Sequence, residues 1–211
     1  MDLFLPLTLN AVCGLPRKGK TAVAVLMALL ARSKGSMIYS NVEMHDGSGN
    51  DIRAPAGRLD PDDPKVCLQQ LGDIFRAIYE DESWNQPRFL LLDEFSSIAD
   101  SQNWKEFSWT SGLWKQLGKI GFTAVALDQN FSRIYNGYRD LTTYKYLVGD
   151  TDVNGVHVPL PWVAVCVGRQ SVNDHQVYSR IADFYLDLRP AYKCYKTHQL
   201  MYFEKSKKRS R

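Results

Sequence analysis

One short run of residues carries the most specific chemistry in this chain. Gly14-Leu15-Pro16-Arg17-Lys18-Gly19-Lys20-Thr21 fits the phosphate-loop pattern G-x-x-x-x-G-K-[ST] with no mismatch. Glycines at that spacing let the backbone between them turn its N–H groups inward around an anion. Lys20 is placed to reach the outer phosphates of a nucleoside triphosphate. Thr21 can give one oxygen to Mg²⁺, an ion that prefers oxygen ligands and keeps waters. The expected nucleotide contacts are therefore Gly14, Leu15, Pro16, Arg17, Lys18, Gly19, Lys20, Thr21 and Ala22, with ATP and Mg²⁺ as cofactors. A chance glycine-rich turn is the plain alternative. Context argues against it, because apolar LTLNAVC precedes the run and Ala/Leu-rich TAVAVLMALLARSK follows, giving strand, loop and helix.

Two further strand-like runs end in polar residues. Arg88-Phe89-Leu90-Leu91-Leu92-Asp93-Glu94 describes a strand buried on both faces, with two carboxylates at its tip. Asp93 is expected to order the Mg²⁺ shell together with Thr21. Glu94 can polarise a water for attack on a γ-phosphate, which is hydrolase chemistry; a kinase would gain nothing from an activated water. Alone, this run could be a strand ending in a solvated acidic turn, and the upstream phosphate loop gives it its meaning. FTAVALDQN closes at Asp128-Gln129-Asn130, where Gln129 is expected to sense the γ-phosphate or hold the attacking water. Arg139 and Arg133, in the FSRIYNGYRDL stretch that follows, are candidates for an arginine supplied in trans to a neighbour's site. The plain readings of these three are a turn residue and two surface arginines.

The intervening elements must set those tips side by side. Ser36 to Asn41 reads as a short strand after a Lys34-Gly35 helix stop. Residues 42–64, rich in Gly, Pro and Asp, read as one long loop in which Arg53 and Arg58 could reach a neighbouring subunit or a polyanion. Asp62 or Asp63 ahead of Pro64 marks a helix start, and Val66, Leu68, Leu71, Ile74, Phe75 and Ile78 follow at helical spacing. Another helix is predicted between Ile98 and Gly121. Its Trp104, Trp109 and Trp114 recur every five residues and so walk around the helix, most of them toward the core. A strand is predicted from Thr142 to Val148, then an edge strand or hairpin over Val156 to Arg169, broken by Pro159 and Pro161. The remainder reads as a short helix and a final strand, forming one domain over 1–204, with a flexible basic tail at 205–211 that can contact phosphates.

Composition narrows the class. A length of 211 residues suits one sizeable core. Cys13, Cys67, Cys166 and Cys194 lie far apart, as do the four histidines, so no zinc pattern exists and reduced thiols are expected. No apolar run approaches the roughly 18 residues of a membrane helix, and MDLFLPLTLN lacks the basic start of a signal peptide. A soluble, intracellular protein is the expectation. Residues 1–104 carry 10 Lys+Arg against 14 Asp+Glu and residues 105–211 carry 16 against 9, so the C-terminal half is the basic one.

With the phosphate loop, Asp93-Glu94 and Gln129 on three strand tips, the sequence resembles the additional-strand, catalytic-glutamate P-loop ATPases. The SRIYNGYRDL stretch and the late Tyr195-Lys196-Thr197 segment are similar to the FtsK–HerA superfamily, nearest to viral genome-packaging ATPases, although Lys196 stands where that branch has an acidic residue. The resemblance implies an α/β fold of three layers, with a mainly parallel central sheet and a C-terminal β-rich extension. It further implies a ring of identical subunits that moves double-stranded DNA, with a capsid vertex or a membrane protein as further partner. The chain is also similar to the Zot-like group of phage assembly proteins, which the SMIYSN strand resembles. Those usually carry a membrane segment after the ATPase domain; its absence here points to packaging. A small-molecule phosphotransferase, or a nucleotide-dependent switch with little turnover, would also use a phosphate loop.

Overall fold

The computed structural model describes residues 7–81, 85–99, 110–153, 156–170 and 176–195. The strands are β1 (Leu9–Cys13), β2 (Met37–Ser40), β3 (Arg88–Leu92), β4 (Phe122–Asp128), β5 (Tyr144–Val153), β6 (Val156–Gln170) and β7 (Gln176–Tyr185). They form one sheet in the order β2-β3-β4-β1-β5-β6-β7. Pairing is parallel from β2 through β5 and antiparallel from β5 to β7. The described helices are α1 (Lys20–Ser33), α2 (Pro64–Glu80), α3 (Phe95–Ile98), α4 (Thr110–Gln116), α5 (Asn136–Arg139) and α6 (Arg189–Tyr192).

Two apolar clusters lie on opposite faces of the sheet and make the molecule three-layered. One joins α2, α3 and Trp114 of α4 to Leu9, Ala11, Leu90, Leu92, Ala124 and Ala126. The other joins α1 and Ala191 to Val12, Phe89, Leu91, Val125, Leu127, Tyr146 and Val148. Alternate residues of β3 and β4 go to alternate faces, so both strands are apolar through Phe89–Leu92 and Ala124–Leu127, and every residue of each is buried. This is the expected α/β P-loop fold with its β-rich extension, and β4 is the additional strand, lying between β1 and β3.

Local signals placed several elements well. Asp63 caps α2, its carboxylate accepting from the N–H groups of Lys65 at 2.8 Å and Val66 at 3.3 Å. The predicted helix before Gly121 is α4 followed by a 3-10 turn at Leu117–Ile120, and Gly121 stops it at φ +80°. Trp114 is buried, its ring 5.4 Å from Phe95 and 5.5 Å from Tyr138. Trp104, Trp109, Lys196, Thr197, the boundary at 204 and the 205–211 tail lie outside the described residues.

Elsewhere the structure differs from expectation. Of the two readings of Val156 to Arg169 the hairpin holds, β5 and β6 pairing antiparallel at the end of the parallel sheet, and the edge strand does not: β6 is an inner strand, its register against β5 slipping between Gly149 and Thr151 so that residues 159–161 fall in that slip. Its pairing with β7 begins only at Trp162, so neither proline is asked for a ladder N–H. Among the described residues the last segment runs β7 and then the short helix α6; residues 196–203, where a final strand was expected, lie outside the described residues. The 42–64 loop is also fitted closely to the body: Val42, Met44, Ile52 and Leu59 are buried, and short bridges tie Ser40 to Arg58 and His45 to Asp51.

Candidate active site

The phosphate loop turns where only glycine fits. A Cβ on Gly14 would lie 2.1 Å from the Val148 carbonyl oxygen of β5, and Gly19 turns into α1 at φ +87°. Arg17 is also left-handed, at φ +62°, so the loop stores strain next to its anion-binding face. α1 starts at Lys20 with no acidic residue in its first turn, which leaves the positive end of its dipole uncompensated. Lys20 Nζ donates to the Leu15 carbonyl oxygen at 3.1 Å, so the ammonium sits over the loop. Leu15, Pro16 and Arg17 are exposed, Lys18, Gly19, Lys20 and Thr21 half-buried, and Ala22 fully buried in the core.

Adjacent strand tips complete the site. Thr21 Oγ1 donates to Asp93 Oδ2 at 2.9 Å, joining the phosphate loop to β3. The other carboxylate oxygen of Asp93 accepts from the Glu94 N–H at 2.8 Å. Glu94 is left-handed, φ +51° and ψ +47°, a strained conformation for a residue with a side chain. Its carboxylate accepts a hydrogen bond from the exposed Gln129 side chain at the tip of β4. Burial pushes the Asp93 carboxyl up, against hydrogen bonds from Thr21 and the Glu94 N–H. Glu94 is raised too, first by burial and then by the charges of Asp93 and Asp128, while Lys20 and Gln129 pull it down.

Two supporting residues were not singled out from the sequence. Asn41, fully buried just after β2, clamps the backbone of Asp93: its Oδ1 accepts from Asp93 N–H at 2.9 Å and its Nδ2 donates to the Asp93 carbonyl oxygen at 3.1 Å. Asp128 is buried, accepting from the Ser96 N–H at 2.7 Å and the Asn130 N–H at 3.1 Å. It thereby ties the start of α3 to the β4 tip. Both end apolar strands, and the strand-tip reasoning used for Asp93 and Gln129 applies to them equally.

The arginines separate. Arg139 is half-buried and its guanidinium donates to the Ser132 carbonyl oxygen and Asn136 Oδ1, bracing its own turn. Arg133 is exposed, without a side-chain partner among the described residues. It lies in a 3-10 turn, Phe131–Arg133, that Lys145 holds to β5 with its ammonium 5.1 Å from the Phe131 ring. Arg53 does not reach outward: its side chain is 8% exposed and pairs with Asp51 at 2.9 Å, with Arg58 joining from the other side at 3.2 Å.

These residues fit a bound Mg²⁺. A hydroxyl and a carboxylate, hard oxygen donors, meet beside Lys20. Among the described residues no group of three or more His, Cys, Asp or Glu gathers.

A phosphate loop after β1, a carboxylate pair after β3 and one strand between them define a P-loop NTPase of the additional-strand type. The chain belongs to the Zonular occludens toxin (Zot) family, which matches residues 9–198. Among solved structures it is similar to the N-terminal domain of zonular occludens toxin from Neisseria meningitidis, at 14% identity and a TM-score of 0.53, over 90% of this chain and 98% of that one. It is similar also to a KaiC-like protein from the archaeon Pyrococcus horikoshii, at 13% identity and a TM-score of 0.53, over 89% and 88%. Identities this low speak to the fold. No curated protein matches the chain. Of the two branches the sequence resembles, the family match falls on the Zot-like one. No helix among the described residues is long and apolar enough to cross a membrane.

Proposed function

We propose that this chain hydrolyses ATP with Mg²⁺ and that hydrolysis drives the movement of DNA during phage assembly, in a ring of identical subunits. The observation that carries the hydrolysis is the connected set Thr21, Asp93, Glu94 and Gln129, which spans the phosphate loop and the tips of β3 and β4. Lys20 and the loop N–H groups bind the outer phosphates. Thr21 and Asp93 would hold Mg²⁺, which when bound neutralises charge on the phosphate oxygens. Glu94 takes the proton of the attacking water as its oxygen bonds to the γ-phosphorus and the bond from that phosphorus to the β–γ bridging oxygen breaks, releasing ADP. Gln129, hydrogen-bonded to that carboxylate, aims it and senses the γ-phosphate. A pocketed base with a raised proton affinity is the better base once ionised. Arg133, exposed beside the sensor tip, is the better placed of the two arginines to enter a neighbour's site.

The DNA half of the proposal draws on family membership and on the basic C-terminal half. Genome packaging into a capsid is the second reading, favoured by the same basic excess and by the same catalytic set. A host-cytoplasm location and a membrane or capsid partner follow from either. Steady-state ATP turnover with and without duplex DNA, alongside oligomer mass with bound nucleotide, tests the whole. The expected result is Mg²⁺-dependent turnover that rises with DNA and a nucleotide-promoted oligomer. Turnover indifferent to DNA but dependent on a small acceptor would sink the motor in favour of a phosphotransferase. A single turnover with no steady state would favour a switch.

A further inference from the structure

The catalytic set accounts for the γ end of the triphosphate but not for the base. Asp93, Glu94 and Gln129 stand on β3 and β4, so the γ-phosphate faces that side of the loop. A base at the other end of a triphosphate held that way would leave past the start of α1 toward the β5 side of β1. There the chain returns from β7 and α6 packs against α1. The atoms nearest to where a Cβ on Gly19 would sit belong to this returning segment: Leu188 Cδ1 at 2.9 Å and Tyr192 Oη at 3.4 Å.

Tyr192 is built as a platform. Its ring stacks on that of Tyr195, with centroids 6.3 Å apart and planes inclined by 30°, yet the residue is 46% exposed while Leu188 beneath is buried. The backbone around it is pinned. Tyr192 N–H donates to the Leu188 carbonyl oxygen at 3.1 Å and Cys194 N–H to that of Ala191 at 2.8 Å. Across the gap, His45 N–H donates to the Cys194 carbonyl oxygen at 2.7 Å, and Met44 bridges to Tyr195. A flat, exposed, preorganised ring in contact with the phosphate loop is what a heterocyclic base needs in order to stack at small entropic cost.

We propose that Tyr192, supported by Leu188 and Tyr195, is the surface on which the nucleotide base stacks, and that it gives the site a preference for purines over the smaller pyrimidines. This rests on the nucleotide-binding reading above and names the residue that reads the base. Calorimetric titration of the full chain with MgATP, MgUTP and Mg²⁺-tripolyphosphate, for wild type, Tyr192→Ala, Tyr192→Leu and Tyr192→Phe, tests it. Wild type is expected to bind MgATP more tightly than MgUTP or tripolyphosphate. Tyr192→Ala and Tyr192→Leu should weaken MgATP by about 5- to 150-fold, the range of one base–aromatic stack. Tripolyphosphate affinity should stay unchanged and Tyr192→Phe should keep wild-type behaviour. Equal losses for MgATP and tripolyphosphate would mean that Tyr192 supports the loop, and no loss for either that the base lies elsewhere; both overturn the proposal. Wild type binding ATP no better than tripolyphosphate overturns it while leaving phosphate binding intact. Wild type binding neither ligand would instead remove the nucleotide-binding reading itself.

Discussion

Asn41→Ala is the substitution whose effect can be worked most directly from the geometry. It removes one acceptor and one donor, at 2.9 Å and 3.1 Å, from the backbone N–H and C=O of Asp93. Asn41 is fully buried, so water has poor access to the groups left behind. Each buried polar group without a partner costs about 1–3 kcal/mol, and two come to roughly 2–5 kcal/mol with partial relaxation. For a chain of this size one kcal/mol moves Tm by about 2–4 °C, so a fall of about 10 °C is the central expectation. The second effect is on catalysis. Asp93 also accepts from Thr21 and from the Glu94 N–H, so loosening its backbone moves the proposed cation ligand and the proposed base together. A misplacement of about 1 Å can reduce turnover about a hundredfold. Scanning calorimetry gives the first number, and steady-state ATP turnover well below the lowered Tm gives the second. An Asn41→Ala protein with wild-type Tm and wild-type turnover would refute the clamp.

Further expectations come from single contacts. Gly14→Ala drives a methyl to 2.1 Å from a backbone oxygen of β5, so it should abolish MgATP binding or soluble expression, read by titration calorimetry and yield. Arg139→Ala should cost about 1–2 kcal/mol of stability, a fall in Tm of roughly 2–8 °C, because it unties a turn; Arg133→Ala should leave Tm unchanged and lower turnover only in the assembled oligomer. Burial, reinforced by Asp128, pushes the Cys13 thiol up to about 12, so almost no thiolate is present at pH 8. Native protein should therefore react quickly with a disulfide reagent at half-buried Cys194 and slowly at Cys13, Cys67 and Cys166, with all four reacting after denaturation. Burial alone would raise Asp51, but Arg53 and Arg58 hold its carboxyl below the ordinary value. A depressed folded value means stability present at neutral pH and lost as pH falls below the usual aspartate range, so Asp51→Asn should flatten the decline in urea midpoint between about pH 5 and pH 3.

What was legible in the sequence was what depends on neighbours along the chain. The phosphate loop is eight contiguous residues whose spacing is its mechanism, and Asp63 announces α2 by the residue that follows it. The apolar runs ending at Asp93 and Asp128 declared strands buried on both faces, because both faces are apolar. What was not legible depends on distant partners. Asn41 looks like any strand-end residue until β2 pairs with β3 and brings Asp93, 52 positions away, against it. Arg53 looks like a surface arginine until the loop folds it onto Asp51 and the Ser40 carbonyl oxygen. Pro159 and Pro161 left an edge strand and a hairpin equally open, because the slip that shelters them is set by the register against β5. Tyr192 carries no sequence signal for Gly19, which stands 173 positions earlier in the chain.

The central claim is that Glu94 activates water beside a bound triphosphate, and Glu94→Gln tests it with almost no change in shape. MgATP affinity measured by titration and steady-state phosphate release measured on the same preparation are the two readings required. Affinity close to wild type with turnover lower by about 10²- to 10⁴-fold is the predicted result. Turnover at the wild-type level in Glu94→Gln, with the protein folded and ATP bound, would contradict it.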